Sequence, residues 1–165
     1  MPRYGVVFLL VLLLTSTRVP AETLTGRITG ITDGDTLTLL DAEHIPQKIR
    51  VAGIDAPEKR QAFGEKSKTH LSALAYNRQA QADCRKIDRY RRRICVVYVG
   101  GRDVGLEQIK AGMAWWYQQY AREQTKQERI DYEHAEFLAK LHRYGLWNSK
   151  DPTPPWEWRH DKRRH

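Results

Sequence analysis

Cysteine is scarce: Cys84 and Cys95 are the only two in 165 residues, and no Cys or His spacing around them completes a zinc quartet. His134, His142 and His160 are too scattered to nominate as catalytic. Long hydrophobic runs are also missing. The apolar stretch from Gly5 to Leu14 is about ten residues long, where a bilayer span needs roughly twenty, and no other segment is a candidate. No internal repeat is found, and nothing has the look of a helix that reads a DNA groove. Acidic residues are outnumbered, with 20 Asp and Glu against 28 Lys and Arg.

What is present begins with a leader. Arg3 supplies a positive start, the short apolar run follows, and Val19-Pro20-Ala21 carries the small residue that a signal peptidase requires. The expectation is a signal peptide at residues 1–21, cleaved after Ala21, and a periplasmic or secreted protein; an uncleaved membrane anchor is the weaker alternative. The other 144 residues are one domain's worth. Losing Arg3 and Arg18 leaves 26 basic and 20 acidic side chains, a formal charge of +6. A basic, aromatic-rich surface suits a polyanion, of which nucleic acid is the commonest, although many small exported proteins are basic too.

Thr23 to Ile31 alternates as a half-buried strand, with Gly26 and Gly30 permitting bends or bulges. Asp33-Gly34 reads as a tight turn, and Thr36 to Leu40 and Ile45 to Ile54 complete a three-stranded meander rich in β-branched residues. Helical spacing follows from Gly64 to Arg78, placing His70, Leu71, Leu74 and Ala75 on one side. Strands return at Ala80 to Ile87 and Arg93 to Val99, joined by the charged turn Asp88-Arg89-Tyr90-Arg91-Arg92. A short helix is expected over Val104 to Met113 and a longer one over Gln127 to Tyr144. Ile130, His134, Phe137, Leu138 and Leu141 mark the longer helix's apolar stripe, and Gly145 is placed to stop it. Five strands and three α-helices fit an α+β fold built on a small Greek-key barrel of the oligonucleotide/oligosaccharide-binding (OB) type; composition and periodicity alone allow other α+β folds.

The chemistry gathers around Asp33-Gly34-Asp35-Thr36, Arg50 and Asp55-Ala56-Pro57-Glu58. Like charges brought together are costly unless a cation sits between them. With no Cys or His nearby, oxygen ligands alone point to a hard cation such as calcium or magnesium. An EF-hand fails, because its sixth loop position, normally glycine, is Thr38, and its terminal glutamate is His44. Guanidinium groups can grip phosphate oxygens in pairs, as lysine cannot. Taken singly, each residue has a plain structural reading: Asp33-Gly34 as a common turn, Pro57-Glu58 as the start of a helix, an arginine covering its strand neighbours.

In order, Ile31-Thr32-Asp33-Gly34-Asp35-Thr36-Leu37, Ile49-Arg50-Val51-Ala52-Gly53-Ile54-Asp55-Ala56-Pro57-Glu58, Asp88-Arg89-Tyr90-Arg91-Arg92 and Gly112-Met113-Ala114 resemble the motifs of the thermonuclease, or staphylococcal nuclease-like, family over roughly Thr23 to Trp147. The resemblance implies the OB-type barrel for residues 22–148 and a calcium-dependent nuclease acting on DNA and RNA, single-stranded or frayed substrate preferred, leaving 3′-phosphate ends. Carried over by position, it makes Asp35 and Asp55 side-chain calcium ligands and the backbone carbonyl of Ala56, where the family prototype has threonine, a third ligand. Arg50, Arg92 and Glu58 take the catalytic positions, Asp33 is an acidic neighbour of the metal, and Arg89 and Tyr90 match contacts to a terminal substrate phosphate. The turn departs from the family at Arg91, where glycine is usual. A nucleic-acid-binding barrel without catalysis explains the clustered acids poorly, and a calcium-dependent scaffold explains the arginines poorly.

Cys84 and Cys95 flank the charged turn at mirrored distances and, in an exported chain, read as a cross-strand disulfide, with two buried free thiols the alternative. Trp115-Trp116-Tyr117 and Tyr120 divide between core and substrate: one or both tryptophans buried, Tyr117 or Tyr120 near the nucleic acid. The Pro/Trp/Arg-rich tail at 149–165 is expected to be mobile and solvated, with Arg159, Lys162, Arg163 and Arg164 free to add nonspecific phosphate contacts. A monomer without stable membrane association is expected.

Overall fold

The structure is a computed structural model that describes residues 22–162. The expected signal segment at 1–21, and Arg163 and Arg164, lie outside the described residues. Alternating burial along β1 (Glu22–Ile31), β2 (Thr36–Asp41) and β3 (Pro46–Val51) produces the meander that the sequence pattern requires. Pairing of β1 with β2 shifts register between Ile28 and Gly30, so a bulge forms beside one of the two expected glycines. The third run is shorter than its sequence suggests. It breaks after Val51, turns through Gly53 at φ 74°, and resumes as the two-residue β4 (Ile54–Asp55).

After α1 (Gly64–Ala75) come β5 (Gln79–Ile87), β6 (Arg93–Val99) and the short β7 (Arg102–Asp103). β5 lies antiparallel to both β1 and β6, while β3 pairs parallel with β6 through Ile49, Arg50 and Val51. That last pairing closes β3, β2, β1, β5 and β6 into a mixed five-stranded barrel. Ile28, Leu37, Leu39, Ile49, Val51 and Val97 fill it and are fully buried. Closure leaves these strands few free edges and fixes where the β2–β3 end meets the β5–β6 hairpin.

α2 (Val104–Lys110) is capped by the Asp103 carboxylate, which accepts from the N–H groups of Gly105 and Leu106. β8 (Trp115–Trp116) pairs with β4, and both tryptophans are buried. α3 (Lys126–Leu141) starts with a capping box between Thr125 and Glu128. Its buried face is not the one marked by its large apolar residues. Tyr132, Ala135, Glu136 and Ala139 face inward, while Ile130, Phe137, Leu138 and Leu141 are exposed. Close approach selects this face: Tyr132 packs where a Cβ on Gly105 would lie 2.9 Å from its hydroxyl, which donates to Asp103. Glu136 accepts from the Trp116 N–H and pairs with Lys140.

The three expected helices are present, and α4 (Pro155–Lys162) is a fourth. The segment read as a solvated tail is a docked helix: Pro155 is buried and Trp156 stacks on Tyr117, ring centroids 5.5 Å apart and planes 7° from parallel.

Candidate active site

An open cleft of about 1350 Å3 lies where the β4 end of the meander faces the β5–β6 turn and α4. Asp33, Asp35, Arg50, Asp55, Ala56, Glu58, Arg89, Tyr90 and Arg92 all line it. The sequence-predicted residues, up to 59 positions apart, thus share one wall-to-wall site.

The turn before β2 delivers Asp35. Asp33 accepts from the Asp35 N–H at 3.1 Å, fixing the turn, and Gly34 is needed because a Cβ there would lie 1.9 Å from Ser67 Oγ and 2.8 Å from the Ala56 Cβ. From below, the buried Gln108 donates to the Gly34 carbonyl at 2.7 Å and to Ser67, while its Oε1 meets His70 Nδ1 at 2.5 Å. α1 and α2 therefore hold the acidic turn in place. Nothing in the sequence pattern singled out Gln108; its only signal was a polar residue on a face that the barrel must cover.

Asp35 and Asp55 converge on a single atom. Arg50 Nη2 lies 3.2 Å from Asp35 Oδ2 and 2.8 Å from Asp55 Oδ1, and Arg50 Nη1 donates to the Ile54 carbonyl. The Asp35 carboxylate also accepts from the Ala56 N–H at 3.0 Å and the Thr36 hydroxyl at 3.0 Å. Ala56 thus meets the cluster through its amide. Both aspartates are buried, Asp55 completely.

The electrostatics follow from this crowding. Burial, then the neighbouring Asp35 charge, pushes the Asp33 carboxyl up to about 6. Asp55 is also raised, chiefly by burial, despite a hydrogen bond from Arg159. Burial would weaken the Arg50 cation, but the charges of Asp35 and Asp55 outweigh it and raise its pKa. Acids held in this way favour any cation that reaches them.

The opposite wall is the β5–β6 hairpin. Asp88 Oδ1 accepts from the N–H groups of Tyr90 and Arg92 at 2.8 and 2.9 Å, and Oδ2 pairs with the Arg92 guanidinium at 2.8 Å. Arg92 Nη1 reaches toward the Thr36 hydroxyl at 3.4 Å, bringing the second arginine to the edge of the acidic group. Arg91, the position without its glycine, does adopt φ 60°, a left-handed conformation that arginine enters at a modest cost. Arg89 and Arg92 lie over the exposed Tyr90 ring, 4.9 and 5.4 Å from its centroid. Cys84 and Cys95 face each other across β5 and β6 and form a disulfide.

Two contributors were not foreseen. Asp88 organises the turn, and Arg159 of α4 reaches into the acids: its Nη2 lies 2.7 Å from Asp55 Oδ2, and its Nη1 lies 2.8 Å from Glu58 Oε1. Tyr117 and Tyr120 line the cleft floor, whereas Trp115 and Trp116 pack into the body.

The donor chemistry fits a hard divalent cation. Asp35 and Asp55 present oxygens to the point where Arg50 Nη2 lies, no Cys or His is among the described residues that line the cleft, and the open cleft admits water to complete a coordination shell. Among the described residues no three His, Cys, Asp or Glu side chains are grouped so as to hold a metal ion by themselves. A site with few protein ligands suits an ion that also binds substrate oxygens.

The sequence matches the family model described as staphylococcal nuclease homologue over residues 48–149. It is 41% identical over 139 residues to a protein of Haemophilus influenzae named "Uncharacterized endonuclease", covering 84% of this chain and 75% of that one. A "Micrococcal nuclease" of Shigella flexneri is 34% identical over 143 residues, covering 81% of this chain and 79% of its own. Escherichia coli "Protein ParB" is 34% identical over 148 residues, covering 84% of this chain and 80% of its own. With the closed barrel, the paired aspartates and the facing arginines, this match over more than half its length means that the chain belongs to the staphylococcal nuclease homologue family.

Proposed function

We propose that this nuclease is an exported, calcium-dependent phosphodiesterase that cuts DNA and RNA with little sequence preference and leaves 3′-phosphate ends. The observation that carries the reading is Arg50 Nη2 held between Asp35 and Asp55, with Arg92 and Glu58 in the same cleft. Asp35 and Asp55 are the side chains that would hold calcium. When bound, the ion polarises a phosphoryl oxygen and offsets the charge that builds on phosphorus.

The chain's own groups do the rest. The Arg50 and Arg92 forks can each donate two hydrogen bonds to phosphate oxygens as these gain charge, a stabilisation that grows toward the transition state. The Glu58 carboxylate, partly open to solvent, can orient a water or take its proton. Asp33 keeps the Asp35 turn rigid. Because these contacts address phosphate and not base edges, sequence preference stays weak.

Labelled single-stranded DNA incubated with calcium, or with a chelator, tests this reading. Calcium-stimulated cutting is expected, with Glu58→Gln slower by about 10²-fold or more and Arg50→Ala also crippled. Cutting that persists in chelator, or binding with no cutting at all, would reject it. Export predicts that protein recovered from outside the cytoplasm begins at Glu22; an intact Met1 there would reject cleavage.

A further inference from the structure

α4 meets the acidic group through one side chain. Arg159 Nη2 lies 2.7 Å from Asp55 Oδ2, and its Nη1 lies 3.2 Å from Asp55 Oδ1 and 2.8 Å from Glu58 Oε1. With Arg50 also on Asp55 Oδ1, both oxygens of that carboxylate are engaged by guanidinium groups. Among the described residues, Arg159 makes all the side-chain hydrogen bonds and ion pairs that join α4 to the rest of the domain. Otherwise the helix rests on stacking, Trp156 against Tyr117 and edge-on to Trp115. An eight-residue helix has little stability of its own in water.

Pro152 and Pro154 lie between Ser149 and the helix, Pro155 opens it, and Gln61 donates to the Thr153 carbonyl at 2.5 Å, anchoring the chain just ahead of α4. Gln61 Oε1 also accepts from the Glu58 N–H at 3.0 Å, so the anchor sits beside the residue that Arg159 occupies.

We propose that α4 is a plug for the cleft: Arg159 serves as an internal cation on Asp55 and Glu58, and it must withdraw before a divalent cation can take Asp55 or Glu58 can act on water. The proposal rests on the reading of Asp35 and Asp55 as calcium ligands. Two guanidinium groups cannot share Asp55 with a divalent ion without strong repulsion, so loading and docking exclude each other. The same acids that bind the ion are the ones that hold the helix. A cation therefore releases the plug by taking its contacts, and the withdrawal also uncovers the ring face of Tyr117 on which Trp156 lies. Arg159 thereby sets the calcium concentration at which the site fills.

Calcium binding is measured by isothermal titration calorimetry on the full mature protein, with Arg159→Ala, Arg159→Gln and Asp35→Asn/Arg159→Ala variants. Hydrogen exchange over Trp156–Lys162 is followed with and without calcium. The plug predicts that both Arg159 variants bind calcium about tenfold more tightly than the wild type, the effect of losing one charge-assisted contact. It also predicts that calcium speeds exchange along α4 in the wild type. Affinity that is equal or weaker in the Arg159 variants, with binding still lost on Asp35→Asn, overturns the plug and leaves the calcium site standing. No calcium binding even in Arg159→Ala overturns the calcium reading itself, and the plug with it. Unchanged exchange along α4 at saturating calcium also overturns the plug.

Discussion

Asp88 touches neither the paired aspartates nor Glu58, yet it aims one of the two arginines on which the proposed chemistry depends. Its two oxygens divide the work, Oδ1 taking the amides of Tyr90 and Arg92 and Oδ2 the Arg92 guanidinium. Burial pushes its carboxyl up, but hydrogen bonds from the Arg92 backbone and side chain outweigh that and hold it below the ordinary 3.8. A lowered folded value means that the folded state holds the carboxylate ionised more readily than the unfolded chain does. The resulting stability is present above 3.8 and is lost as pH falls through the lower folded value. The amide shifts of Tyr90 and Arg92 should move together in one titration with its midpoint below 3.8, and a midpoint above it would sink the assignment. Asp88→Asn keeps an acceptor for the amides but removes the charge that orients Arg92. Turnover should fall on the order of 10- to 100-fold with calcium affinity unchanged, and a matching loss of calcium affinity would mean that Asp88 acts on the acids instead.

The hairpin that carries Asp88 and Arg92 is braced by its disulfide. Cys84 and Cys95 are register partners on β5 and β6, 11 residues apart in sequence, and both are buried. Closing a loop of that size restricts the unfolded chain, so reduction should cost about 2–3 kcal/mol, read as a lower urea midpoint. An unchanged midpoint after verified reduction would show that the bridge stabilises nothing. Elements of this kind were legible wherever the signal was local. The strands alternate, the acidic turn and Arg50 run lie in contiguous motifs, and both cysteines flank one turn, so their places in the barrel follow from nearby residues. α3 defeated that approach because two stripes compete along it. The larger apolar one lost to Tyr132, Ala135 and Ala139, whose shape fits against α2 and whose neighbour Glu136 holds the Trp116 amide. α4 was hidden for another reason: a proline-rich, charged segment reads as solvated, and its partners Asp55 and Glu58 lie 104 and 101 residues away. Gln108 was likewise silent, since its value lies in a carbonyl 74 residues distant.

At the scale of the whole molecule, a formal charge of +8 says little about where a polyanion lies, because many of the cations are already committed. Along the cleft, Arg85 pairs with Glu128 and donates to the Glu123 carbonyl, and Lys86 pairs with Glu123. Lys48, Lys59 and Arg60 line the same cleft, are exposed, and have no ion pair among the described residues. An unpaired cation on the rim can release a condensed counterion from a strand, whereas a paired one must first give up its carboxylate. The path of the nucleic acid should therefore follow the unpaired set past Glu58. Binding of labelled single-stranded DNA in chelator, followed across salt concentrations, distinguishes the two sets. Lys59→Ala and Arg60→Ala should each flatten the plot of log affinity against log salt by about 0.7, the value for one phosphate contact on a single strand. Arg85→Ala should leave that slope nearly unchanged even if it lowers stability. Equal slopes across all three variants would place the strand elsewhere, and a larger effect for Arg85→Ala would mean that the Glu128 pair opens to receive phosphate.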